Sequence, residues 1–193
     1  SNQNDILTRF FSSKNTSGTM TMAPVIPTSS PSMDIQISSN FERLIFDYYD
    51  RDGVAVAKAL KEFRSNKTVN FGNNCWKKMR KLFDGYSFSD AEIKTAIENL
   101  HKNTGELLDP HSIIGVLAGQ RGHADPENIM IALATAHPAK FPATVEGATG
   151  IKPQLPADLI DLFKRKENFD ILPNDIDDLR GYIINTLEKS NSR

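Results

Sequence analysis

The run Ile129-Met130-Ile131-Ala132-Leu133-Ala134 leaves few choices for the fold. It is far short of the roughly 20 apolar residues that cross a bilayer, and it has the length of a strand. Its lack of polar alternation suits a strand covered on both faces, as in a parallel sheet. Helical patterns lie before and after it in the chain, so the class expected is α/β, helix-rich and with few parallel strands. Such a sheet is too small to stand alone. At 193 residues the chain has room for one domain, or one and a half at about 150 residues each.

Charge and cysteine content remove several function classes. Lys plus Arg number 23 against 24 Asp plus Glu, a formal charge of -1, so no broad basic surface can neutralise a run of phosphates. Nucleic acid is therefore not an expected partner, and no segment predicts a membrane span. The single Cys75 cannot form an internal disulfide and is too few for thiol-based zinc patterns, which fits a reduced, cytoplasmic protein. The opening Ser1-Asn2-Gln3-Asn4-Asp5 carries neither an initiating Met nor the order of a signal peptide, and reads as the start of a piece cut from something longer.

Local signals then place the elements. Asn4 or Asp5 is positioned to cap a short helix over residues 6–11. Residues 12–32, with Pro24, Pro27 and Pro31 among Ser, Thr and Met, read as a long mobile loop. Ile37, Phe41, Leu44, Ile45 and Tyr48 form a helical stripe with Ser38 or Ser39 as its cap, stopping near Asp52-Gly53. Two further helical patterns follow, around residues 54–63 and 76–83, and residues 53–105 look like a helical insertion. Ser89-Asp90-Ala91-Glu92 is a capping box, its helix closed by Gly105. Asp109-Pro110 opens another helix that ends at Gly122. The strand is expected over residues 126–136, followed by a turn at residues 137–142 and helices near 156–166 and 173–188.

Few of the polar residues form a chemical constellation. His101, His111, His123 and His137 contain no pair at metal-ligand spacing, so no metal site is assigned. Asp109-Pro110-His111-Ser112 could carry acid–base chemistry, although capping alone explains an Asp-Pro at a helix start. Neither a Gly-x-Gly-x-x-Gly nor a Walker-type loop occurs. Thr135 stands apart because it lies at the C-terminal end of the expected strand, the edge where ligands collect in open α/β sheets.

Four segments, in order, resemble threonine synthase of the bacterial and fungal type. Asn2-Gln3-Asn4-Asp5-Ile6-Leu7-Thr8-Arg9-Phe10-Phe11 is similar to the family's Asn-x-Asn-Asp-Ile-Leu stretch. Ser30-Pro31-Ser32-Met33-Asp34-Ile35-Gln36-Ile37-Ser38-Ser39-Asn40-Phe41-Glu42-Arg43-Leu44 resembles its longest signature. Leu108-Asp109-Pro110-His111-Ser112 and Ala134-Thr135-Ala136-His137-Pro138-Ala139-Lys140-Phe141-Pro142 resemble two more, so the likeness runs to about Pro142.

The resemblance implies the C-terminal part of a fold-type II pyridoxal-phosphate enzyme, similar in fold to the tryptophan synthase β chain. Residues 1–193 would belong to the large cofactor-binding domain. It also implies a lyase that converts O-phosphohomoserine and water to threonine and phosphate in amino-acid biosynthesis. The family's Schiff-base lysine and glycine-rich phosphate loop lie upstream of the segment matching residues 2–11. No catalytic residue is therefore carried over, and the N-terminal portion of the same enzyme is an implied partner. Thr135 matches the family residue whose hydroxyl meets the pyridine nitrogen. Asn4, Asp5, His111 and Lys140 could lie near the substrate or simply cap turns, and none of them is assigned to the site. The fragment alone is expected to be inactive and to associate, unless the chain is a family-derived, non-catalytic binding module.

Overall fold

The computed structural model describes residues 1–122, 125 and 127–191. They divide into two compact units, residues 1–154 and 155–193, each described by itself. The first unit contains two hydrophobic cores.

The first core gathers α1 (Ile6–Phe11), α2 (Phe41–Tyr48), α3 (Gly53–Asn66) and α4 (Asn73–Met79) around a two-stranded antiparallel sheet. Strand β1 (Thr19–Thr21) pairs with β2 (Thr68–Asn70), setting Met20 opposite Val69, and both of these side chains are buried. Phe10, Phe11, Phe41 and Phe71 meet edge to face, with the centroids of the first pair 5.0 Å apart, the arrangement that ring quadrupoles favour. Trp76 Nε1 donates to the Phe10 carbonyl at 2.7 Å, which satisfies a buried indole.

The second core lies between α5 (Asp90–Thr104), α6 (Ser112–Gly122) and α7 (Pro142–Thr149). Phe88, Ile93, Ile97, Ile113, Ile114 and Ala148 fill it. The capping box at the start of α5 forms as read from the sequence. The Glu92 amide donates to Ser89 Oγ at 3.3 Å, and the Ser89 amide donates to Glu92 Oε2 at 2.8 Å. Gly105 ends the helix in the left-handed region at φ 80°, which a residue without Cβ adopts freely. In the second unit the helix expected near residues 156–166 is two short 3₁₀ turns, Ala157–Leu159 and Leu162–Lys164, and the last expected helix is α8 (Ile176–Asn191).

Several expectations are corrected. Residues 129–135 have no regular structure, so the strand expected over residues 126–136 is absent from its described part; Pro126 lies outside the described residues. A strand exists only through pairing with a neighbour, and among the described residues the sheet is β1 with β2 alone, antiparallel. The run instead lies along α6, where a Cβ on Gly119 would stand 2.9 Å from Met130 Cγ. Residues 12–32 are not one uninterrupted loop. They contain β1 and enter the 3₁₀ turn Pro31–Met33, and Asn15 Nδ2 donates to the carbonyls of Phe10 and Thr19. Within residues 53–105, α3, β2 and α4 contribute to the first core and α5 to the second.

Two expected caps also differ. Asp5 makes no side-chain cap and pairs with Arg9 Nε at 2.8 Å. Asn4 instead holds residue 26, its Nδ2 donating to the Ile26 carbonyl at 2.8 Å and its Oδ1 accepting from the Ile26 amide at 2.9 Å. Helix α2 begins after Asn40, so neither Ser38 nor Ser39 caps it.

Candidate active-site cleft

The open side of α6 forms the floor of a cleft of about 670 Å³, a size suited to a cofactor-sized ligand. Ile114 and Gly115 of α6 lie beneath it, Ile131, Leu133 and Thr135 form one wall, and Ser32 with Met33 form another. Lys140 and Phe141 also line it. Thr135, His111 and Lys140 are thus brought together, whereas Asn4 and Asp5 do not line the cleft.

Thr135 is exposed, and its hydroxyl has no partner among the described residues. Its backbone is held firmly by comparison. The Thr135 amide donates to Ser112 Oγ at 2.9 Å, and the Ala136 amide approaches the same oxygen at 3.4 Å. The result is a fixed residue with a free donor and acceptor.

Asp109 stands behind this arrangement. Its Oδ1 accepts from the His111 amide and from His111 Nδ1, both at 2.8 Å, and its Oδ2 accepts from the Ser112 amide at 3.2 Å and from the Ser112 hydroxyl. The capping role read from the sequence is present, and α6 starts as expected. With Nδ1 donating to Asp109, His111 Nε2 accepts from the Ser32 amide at 3.1 Å. Both ring nitrogens are occupied, so His111 is a strut between Asp109 and the backbone of Ser32. Its ring also packs on Phe141, with centroids 4.3 Å apart.

Lys140 is exposed, sits 5.8 Å from the Phe141 ring centroid, and has no ion-pair partner among the described residues. The bonds that Ser112 and Ser32 make here escaped the sequence reading. Each serine contributes through a bond to a distant residue, Ser112 to Thr135 and Ser32 to His111, and no local pattern marks such a bond. Among the described residues no group of three or more His, Cys, Asp or Glu could hold a metal ion, and His123 lies outside them. No described helix is long and apolar enough to cross a membrane. Cys75 is a half-buried thiol whose pKa burial pushes up.

A family model described as the C-terminal region of threonine synthase matches residues 112–183. The threonine synthase of Pseudomonas aeruginosa is 43% identical over 183 residues, covering 94% of this chain and 38% of that protein. The Saccharomyces cerevisiae threonine synthase is 34% identical over 165 residues, covering 76% of this chain and 31% of that protein. Among solved structures, a threonine synthase from Brucella melitensis with PLP bound superposes with a TM-score of 0.78 at 42% identity, covering 95% of this chain and 38% of that one. The yeast enzyme superposes with a TM-score of 0.72 at 31% identity, covering 97% of this chain and 41% of that one. The chain spans between 31% and 41% of the length of these relatives and shares the fold of that part. It belongs to the threonine synthase family, within whose C-terminal portion it lies.

Proposed function

We propose that this chain forms part of a pyridoxal-phosphate-dependent lyase that turns O-phosphohomoserine and water into threonine and phosphate, in the cytoplasm. The proposal rests most directly on Thr135, whose hydroxyl is unpartnered at the cleft while its backbone is fixed by Ser112. A neutral hydroxyl is a fitting neighbour for a pyridine nitrogen, because it donates to that atom without enforcing its protonation as a carboxylate would. Pyridoxal phosphate, when bound, supplies the electron sink for eliminating the γ-phosphate and adding water at Cβ.

The chain's own residues have narrower tasks. Thr135 would hold the ring nitrogen, and Ile114 beneath the cleft with Ile131 in its wall would give that ring an apolar lining. Lys140 offers a positive charge to an anionic ligand. The N-terminal portion of the enzyme covers the open face of residues 129–133, where Ile129, Ile131 and Leu133 are exposed by 91%, 77% and 73%. By this account the isolated chain is inactive.

Joining the chain to the N-terminal portion of the Pseudomonas aeruginosa relative tests the proposal. The joined polypeptide is expected to release phosphate from O-phosphohomoserine with pyridoxal phosphate present, and the chain alone to release none. A folded, cofactor-loaded fusion that leaves O-phosphohomoserine intact sinks the proposal.

A further inference from the structure

Capping accounts for two of the four bonds that Asp109 accepts, those from the His111 and Ser112 amides at the start of α6. The other two have no part in starting a helix. Asp109 is fully buried and Ser112 is 1% exposed, so neither group can turn to water instead. Because the Ser112 hydroxyl gives its proton to Asp109 Oδ2, its oxygen is left as an acceptor only, turned toward the amides of Thr135 and Ala136. Likewise, because Asp109 Oδ1 takes the His111 Nδ1 proton, Nε2 is left to accept from the Ser32 amide. One buried carboxylate thereby sets the polarity of two side chains, and each side chain holds a different wall of the cleft.

We infer that Ser112, oriented by Asp109, is the positioning residue for Thr135, and that His111 does the same for Ser32 on the facing wall. This inference rests on the assignment of Thr135 to the pyridine nitrogen. Ser112 touches neither ring nor substrate in this role. It acts by fixing the backbone from which the Thr135 hydroxyl projects, in a segment that otherwise lacks regular structure. Residues 129–134 have no sheet to hold them, so the Ser112 bonds take the place of a ladder at the one position where register matters.

Two measurements test the inference separately from the assignment beneath it. The first is amide exchange in the wild-type chain. The Thr135 amide is expected to exchange about tenfold more slowly than that of Leu133, an exposed neighbour in the same irregular segment. Equal rates overturn the inference whether or not any variant folds.

The second is pyridoxal phosphate affinity, read by fluorescence titration on the joined polypeptide for Ser112→Ala, Thr135→Ala and the double variant. Each single change is expected to weaken binding about tenfold, as for loss of one such hydrogen bond, and the double change no further than Thr135→Ala alone. Fully additive losses would show that Ser112 does not act through Thr135, leaving the Thr135 assignment standing. An unchanged affinity in Thr135→Ala would remove that assignment itself.

Discussion

Around Phe10 the chain encloses its rings on every side, whereas along residues 129–133 it leaves three large aliphatic side chains in solvent. Phe10 is 1% exposed and Ile129 is 91% exposed, although both belong to strongly apolar stretches. The difference lies in where the covering groups come from. The first core draws on α1 to α4 and the antiparallel pairing of β1 with β2, all contained within residues 6–79. Among the described residues the apolar run packs along α6, and the relatives that share this fold are more than twice as long. A hydrophobic segment thus becomes core or cleft according to which partners the chain can bring to it.

The sharpest way to break this contrast is Phe10→Ala, which removes a ring at the centre of the edge-to-face cluster. A loss of about 4 kcal/mol is expected from the urea midpoint. Ile97→Ala, fully buried in the second core, is expected to cost about 3 kcal/mol, and the double variant should show the sum within about 0.5 kcal/mol because the two sites share no contacts. A large coupling term would show that the two cores are one. Ser89→Ala removes the N-cap of α5, and the same denaturation should record about 1 kcal/mol.

Leu133→Ser probes the open side. Its effect on the denaturation midpoint is expected to stay within about 0.5 kcal/mol, yet sedimentation should show weaker self-association of the isolated chain. Unchanged association would mean that the open face is not adhesive. The smallest effect expected is electrostatic. The Ser89 amide first, then the Ser89 hydroxyl, hold Glu92 below its ordinary 4.5, with Arg121 adding to them. A depressed carboxylate contributes stability above its unfolded pKa and loses it as pH falls through the folded value. Glu92→Gln should therefore flatten the loss of stability below about pH 4.5. A pH profile identical to wild type would contradict this.

Signals that act within one turn of chain were legible in advance. Ser89 and Glu92 find each other three residues apart, Gly105 closes the helix they open, and Asp109 starts α6 through amides two and three residues on. The caps expected at the starts of α1 and α2 did not form. Asn4 was drawn to the backbone of residue 26, a tertiary contact that no local pattern marks, whereas Asp5 pairs with Arg9 one turn along its own helix, a local bond that competes with the cap. The family likeness singled out Thr135, and the cleft gathers His111 and Lys140 beside it.

The sequence by itself determined the helical segments whose caps lie close at hand, the apolar run, and membership of the threonine synthase family. Only the tertiary structure decided that the run packs on α6 without strand pairing, that His111 is a strut with both nitrogens occupied, and that Ser112 holds Thr135. A cap is settled by atoms a few bonds apart. A strand, a strut or a positioned hydroxyl depends on groups that only folding brings within hydrogen-bond reach, 23 residues along the chain for Ser112 and Thr135 and 79 for Ser32 and His111.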